Sequence, residues 1–339
     1  MEKVPSGDQL TEIVNENTIL KLTPKWVRNI VANEEAIKKG KGCKEFFVKE
    51  GEKRTRDVPA VIVSGGPSLD KNIKHLPKAK NKAVILVVDS MLKKVMEVGV
   101  KPDFVITTDA EWGEWGNCFN DLPMNTKDIP LIAEVYVNKK AIESWEGPIY
   151  WYAVAPMDGS PLSKILEPEF TGHTIGRIAC GGCVSSIAFA FASGGLKCDP
   201  IIMIGQDCGY YDDERHHASG FEYDENLEYA EVVEDIYGRP MFTTPVLKAY
   251  AYWFERIVSG RVVPGFSSAD GTFINATQGG MVSRGWLIQT FEQAIRRYLT
   301  KEYNIHDLLF PKRGGKNGRV NKTNKKIQKD TPRKGSSSL

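Results

Sequence analysis

Short apolar, β-branched runs recur along the first two-thirds of the chain, most of them closed by a glycine, a proline or an acid. Ala60–Val63 and residues 82–89 (KAVILVVD), 104–109 (FVITTD), 129–136, 148–154 and 200–205 (PIIMIG) each predict a buried strand. Helical patterns fall between or around them. Residues 12–39 predict a long helix with Trp26, Ile30 and Val31 as its apolar stripe, and 91–97 and the Ala-rich 185–193 predict short helices. Strands separated by helices argue for a parallel sheet covered on both faces. Beyond it, 231–243 predicts a hairpin turning near Tyr237–Pro240, and 245–258 an amphipathic, aromatic-rich helix. Residues 272–276 predict a last strand, Thr277-Gln278-Gly279-Gly280 a turn, and 286–299 a closing helix. The fold class expected is α/β: a Rossmann-like, mainly parallel sheet with a helical N-terminal arm and an α+β C-terminal extension. The units expected are an arm and polar linker over 1–57, a main domain over 58–310 and a tail over 311–339.

The polar punctuation carries the candidate chemistry. Val58 to Asp70 reads VPAVIVSGGPSLD, a strand, a glycine turn and a helix start. Pro67 and Ser68 suit a first helical turn, with the Ser68 hydroxyl as cap. Gly65 and Gly66 would let a phosphate approach the main chain, though a tight strand-to-helix connection needs glycine too. The turn is neither a Walker A loop nor a GxGxxG fingerprint. Acids end several strands: Asp89, Asp109 and, after Gln206, Asp207. Ligands of open α/β sheets bind at the carboxyl ends of strands, so the set predicts a site wall, whereas any one of them alone reads as a cap of the next helix. His216 and His217, two of five histidines, follow in a loop suited to a general base or phosphate partner. Cys180-Gly181-Gly182-Cys183 is a lone CxxC without the second pair a zinc site needs. It reads as a glycine turn before a helix whose N-terminus suits a second anionic group.

Composition changes this picture in two places. The 339 residues carry a formal charge of +2, but residues 311–339 hold ten Lys or Arg against Asp330 alone. That surplus of nine leaves the body at about −7, so the tail is expected to be disordered and to contact phosphate-rich surfaces, while the body offers no case for nucleic-acid binding. No apolar run reaches the length of a membrane span, and no signal peptide is visible, which points to the cytoplasm and to reduced thiols for the six cysteines.

Taken in order, IVSGGPSLDKNI, VKPDFVITTD, GGCVSSIAFAFA with PIIMIGQDCGYYDDERHHASG, and FTTPVLKAYAYWFERI with FINATQGGMVSRG resemble the domain shared by motility accessory factor (Maf) glycosyltransferases and the archaeal 6-hydroxymethylpterin diphosphokinase MptE. The resemblance covers roughly residues 26–300. The turn and the Gly-x-Asp strand end also look like bacterial sialyltransferases. A Maf-like activity would move a nonulosonic acid from a CMP donor to a protein or glycan hydroxyl. Gly65, Gly66, Pro67 and Ser68 would then hold donor phosphate or ribose. Asp89 and Asp109 would line the nucleotide pocket, with Gly181, Gly182 and Gln206 nearby. Tyr210 or Tyr211 would bond the leaving phosphate, and His217, with His216 and Asp207, would form the catalytic group. An MptE-like activity would instead hold ATP at the turn and pass diphosphate to a pterin alcohol, with Mg²⁺ near the acids. The glycosyl-transfer reading implies no cofactor. A non-catalytic nucleotide-binding module is the third expectation. Cys180 and Cys183 depart from the family pattern, where small or hydroxyl residues are expected, and the long flanking domains of full Maf proteins are absent from these 339 residues.

Overall fold

A computed structural model describes residues 7–111, 118–154, 175–211, 217–219, 230–260 and 271–311. His216 and, apart from Pro311, the basic tail lie outside the described residues. The predicted strands form as β2 (Ala60–Val63), β3 (Val84–Val88), β4 (Phe104–Thr107), β5 (Leu131–Glu134), β6 (Ile149–Val154) and β8 (Ile201–Ile204). Three short strands, β1 (Lys41–Gly42), β7 (Arg177–Ile178) and β11 (Phe273–Asn275), join them, with β12 (Leu287–Ile288) at one edge. Along the sheet the order is β1-β6-β5-β4-β3-β2-β8-β11-β12, with β7 also paired to β6, and every pairing in it is parallel. The α/β, mainly parallel architecture is therefore the one the pattern predicts.

Alternate residues of the strands feed two cores. Val61, Val63, Ile85, Val87, Val105 and Leu131 face one side. There they meet the arm helix α1 (Gly7–Lys39), the short α2 (Leu69–Asn72), α3 (Leu92–Glu97), α4 (Lys139–Glu143) and the capped α7 (Phe291–Tyr298). Ala60, Ile62, Leu86, Phe104 and Ile106 face the other, against α5 (Val184–Ala190), α6 (Pro245–Val258) and α8 (Ile305–Leu309). Burial on both faces is why these strands read as unbroken apolar runs. At its N-terminal end α1 packs on α6, where Gly7 lies against the Tyr252 ring. The hairpin of β9 (Glu231–Glu234) and β10 (Pro240–Thr243) is a separate antiparallel pair.

Four expectations are corrected. Val31 is 67 % exposed rather than part of the α1 stripe. The buried side of α1 is built on i, i+4 spacing, with Trp26 and Ile30 beside Asn29, Asn33 and Ile37. Asn29 and Asn33 donate to the carbonyls of Tyr136, Val135 and Val137, so amides hold the helix to the loop after β5. The stretch after α1, read as a polar connection, supplies β1 and the buried Cys43 and Phe46. The closing helix begins only at Phe291, because Thr290 and Gln293 form a capping box; Leu287 and Ile288, placed in that helix, are the edge strand β12. The Ser68 hydroxyl does not cap α2.

Candidate functional site

The strand order reverses direction between β2 and β8, and the two run side by side with Val63 opposite Ile204. In an open α/β sheet a crevice forms at such a reversal, outside the carboxyl ends. β2 continues into Ser64, Gly65 and Gly66; β8 continues into Gly205, Gln206 and Asp207. The Gly66 N–H donates to Gly205 O at 2.7 Å. Any Cβ on Gly66 would overlap the Asp207 carboxylate and the Gly205 carbonyl, which is why the position is glycine. Ser68 turns towards Asp207, its Oγ donating to Oδ2 at 2.8 Å and its N–H to the same oxygen at 3.3 Å. The hydroxyl that looked like a helix cap has a partner 139 residues away.

The Thr277–Gly280 turn holds the other side of this pair. Gln206 N donates to Thr277 Oγ1 at 3.1 Å, Met281 N donates to Asp207 O at 3.0 Å, and Gly280, at φ +76°, lets the main chain pass against Asp207. Asp207 is buried, and that desolvation pushes its pKa up to about 7 against the opposing bonds from Ser68.

A cavity of about 380 Å³ opens at this point. Gly65, Gly66, Gln206 and Asp207 line its floor; Asp89 and Asp109, at the ends of β3 and β4, line a wall; Gly182 and His217 also reach it. Asp89 accepts from Thr107 Oγ1 at 2.6 Å and from Ser90 N at 2.8 Å, yet burial still raises its pKa. Asp109, exposed at the rim, is pushed up to about 7 by desolvation and by the charge of Asp89, a shift that water at the rim moderates. His217 sits beside the first glycine, since a Cβ on Gly65 would lie 3.6 Å from its Cδ2. Its neighbours fix the loop. Ala218 N donates to Gly65 O at 2.9 Å, Ser219 N and Oγ donate to Asp70, and Lys94 bridges Ser219 O and the Asp70 carboxylate at 2.8 and 2.7 Å.

Other expected site residues stand apart from the cavity. Pro67 is in the turn and Ser68 lies buried beneath it. Gly181 backs onto the Trp253 ring, and its N–H donates to Ser186 Oγ at 2.7 Å. Tyr210 is buried and stacked on Phe242, 5.6 Å between ring centres. Tyr211 Oη donates to Asp235 Oδ2 at 2.8 Å and accepts from Gly280 N at 2.9 Å, beneath the Arg239 guanidinium. The phenols that the resemblance assigned to a leaving phosphate are thus engaged with the β9–β10 hairpin.

The structure adds lining residues that the motifs did not single out, Ser64, Ser90, Thr108, Ser185 and Tyr250 among them, and brings Cys183 of the CxxC to the cavity as well. Ser64 and Thr108 adjoin singled-out positions, and position after a strand was the one signal that marked them. The Cys180 thiol is pushed up to about 12 by burial, and burial also raises that of Cys183, so both are protonated at neutral pH. Among the described residues no Lys or Arg lines the cavity, and no group of three or more His, Cys, Asp or Glu is placed to hold a metal ion. None of the described helices is long and apolar enough to cross a membrane.

A doubly wound α/β protein with its cleft at the strand-order reversal is the class that these observations define. Residues 28–213, more than half of the chain, match the model of the family described as 6-hydroxymethylpterin diphosphokinase MptE-like. The chain belongs to that family, and so to a family of transferases. No curated protein matches it. Among solved structures it is similar to a Maf glycosyltransferase from Magnetospirillum magneticum AMB-1, at 15 % identity and a TM-score of 0.49, over 73 % of this chain and 37 % of that one. The chain therefore spans little more than a third of that protein.

Proposed function

We propose that the chain is a nucleotide-dependent transferase that moves a nonulosonic acid from a CMP donor to a hydroxyl acceptor, with residues 58–310 as the transferase unit. The observation that carries this reading is the make-up of the cleft: a histidine held over a glycine turn, several carboxyl groups, and no Lys or Arg among its described lining residues. Such a lining suits a donor with a single phosphate better than a bare triphosphate, whose charge the carboxyls would oppose. The donor lies against Gly65 with Gly182 near it, and Asp89 and Asp109 border the nucleotide. His217 takes the proton of the acceptor hydroxyl. The acceptor oxygen bonds to the anomeric carbon as the bond from that carbon to the phosphate oxygen breaks, and CMP leaves with the electron pair. Cytoplasmic location and contact of the basic tail with phosphate-rich surfaces belong to the same proposal.

The family match favours a second reading, transfer of diphosphate from ATP to a pterin alcohol. Mg²⁺ would then offset the donor's charge. Asp89 and Asp109 suit it only as one or two ligands, the phosphates and water completing the shell, which is how Mg²⁺ is commonly bound. A thermal-shift panel of CMP, CDP, ATP, GTP and a pterin, with and without Mg²⁺, separates the readings. A ligand at 100 times its Kd stabilises by about 2.7 kcal/mol. CMP binding that is indifferent to Mg²⁺ supports glycosyl transfer. Binding confined to ATP with Mg²⁺, together with pterin, replaces it by the diphosphokinase.

A further inference from the structure

The floor of the cleft has a polarity that its glycines do not disclose. Ser64 Oγ, Gln206 Oε1 and Asp207 Oδ1 are buried without a hydrogen-bond partner among the described residues, and all three residues line the cavity. Their exposures are 3, 7 and 1 %. They are neighbours by register: Val63 pairs with Ile204, Ser64 N donates to Ile204 O at 3.0 Å, and Gln206 and Asp207 follow directly. Buried polar atoms are nearly always satisfied, so three orphans in neighbouring residues that line one cavity call for a ligand.

The donors that an anion would need are already used. Gly66 N–H goes to Gly205 O, Ser68 N–H and Oγ go to Asp207 Oδ2, Leu69 N–H goes to Gly66 O, and the Gln206 amide nitrogen donates to Cys208 Sγ. The side chain of Asp207 sits where a phosphate would meet the turn. We infer that the floor formed by Ser64, Gln206 and Asp207 is a subsite for vicinal hydroxyl groups, those of a nucleotide ribose, and that the phosphate lies away from the Gly65–Ser68 turn. One sugar hydroxyl donates to Gln206 Oε1 and another bonds Asp207 Oδ1, which accepts from it when ionised and donates to it when protonated, while the Ser64 hydroxyl either donates or accepts. A carboxylate at a strand end that takes ribose hydroxyls is a recurrent solution in doubly wound folds. Asp207 then acts as a binding group and leaves proton transfer to His217. This inference rests on the cleft being a nucleotide site and names which part of the nucleotide its floor reads.

The test is a set of thermal-shift titrations of the full chain with cytidine, 2′,3′-dideoxycytidine, adenosine, 2′,3′-dideoxyadenosine and inorganic phosphate. At least one ribonucleoside should bind about fivefold or more tighter than its dideoxy partner, the worth of one hydrogen bond or more, and phosphate alone should give no shift. Asp207→Asn and Ser64→Ala should each shrink that preference. Ser64→Ala deletes a hydroxyl that has no partner, so its melting temperature should match the parent's, and it keeps the test sound should Asp207→Asn fold poorly. Equal binding within both nucleoside pairs, absence of binding in both pairs, a shift with phosphate alone, or a preference untouched in both variants overturns the inference. A ribose preference seen with adenosine and not with cytidine leaves the subsite standing and removes the CMP donor.

Discussion

The chain carries two glycine pairs just ahead of helices, and they do opposite things. Gly66 makes room for polar atoms, the Asp207 carboxylate and the Gly205 carbonyl, at the floor of the cleft. Gly181 and Gly182 make room for rings, Trp253 and Tyr250 on α6, and so let that helix close on the second core. Gly182, at φ +94°, is also in a conformation that side chains rarely adopt, whereas Gly65 and Gly66 are not. A glycine pair before a helix therefore signals close approach, and what approaches is decided by residues far along the chain.

The sharpest way to break this contrast is His217→Ala, because His217 stands over the first pair alone. The transfer rate should fall by about 10² to 10⁴, with nucleotide affinity unchanged. A variant that turns over within twofold of the parent removes the base assignment and leaves the first turn as no more of an active centre than the second.

Gly66→Val and Gly181→Val should both cost stability, of the order of 1–3 kcal/mol or more, because each forces a Cβ into fixed backbone, carboxylate or ring atoms. Gly65→Ala is the counterpart. Its Cβ meets His217, Ser90 and Met91 at 3.6–3.7 Å, ordinary contact, so melting should barely change while ligand affinity drops as the cleft narrows. Denaturant midpoints and nucleotide titrations read both effects; a Gly65→Ala chain that melts as low as Gly66→Val would erase the distinction.

Next in size is a pH effect to which the polar pair contributes through Asp207. Asp207 keeps its proton in the folded chain up to about 7, while the unfolded chain releases it near the ordinary value of 3.8. Between those values the folded state binds more protons, so stability falls as pH rises through the window and levels off above it. Asp207→Asn should flatten the drop in melting temperature between pH 5 and pH 8, in part only, since Asp103 and Asp109 shift in the same direction. An unchanged slope would mean that burial is not what holds the proton.

The smallest effect is expected at the clamp. Lys94→Ala removes the bridge between Asp70 and Ser219 that steadies the His217 loop. A loss of a few-fold in rate with the base's pH profile displaced, at constant nucleotide affinity, marks a positioning role; a change in melting alone would limit it to structure.

Much of the fold was legible because strands buried on both faces must be apolar throughout, and because charged or glycine residues end them. The strand-end acids Asp89, Asp109 and Asp207 could be read as neighbours for the same reason, and all three line one cavity. Ser68 could not: its hydroxyl fits a local cap, and only the pairing of β2 with β8 supplies the competing carboxylate. The resemblance assigned Tyr210 or Tyr211 to a leaving phosphate; the bond from Tyr211 Oη to Asp235 crosses to a hairpin whose docking no local pattern encodes. Leu287 and Ile288 fit a helix as well as a strand until Thr290 and Gln293 fix where the helix starts.

The docking of α1 on α6 sets an order of assembly. During synthesis α1 emerges well before its partners: the residue beside Gly7 is Tyr252, and β2 meets its switch-point neighbour only once Ile204 has emerged. Contacts this distant in sequence close late. On the ribosome the N-terminal end of α1 must wait for α6, whereas Trp26 meets Tyr136, and Asn29 its carbonyl, once the loop after β5 has emerged. The cleft floor comes later still, when the turn at Thr277–Gly280 locks Gln206 and Asp207. The cleft floor is therefore built late in synthesis, with only β12, α7 and α8 of the described elements still to follow it.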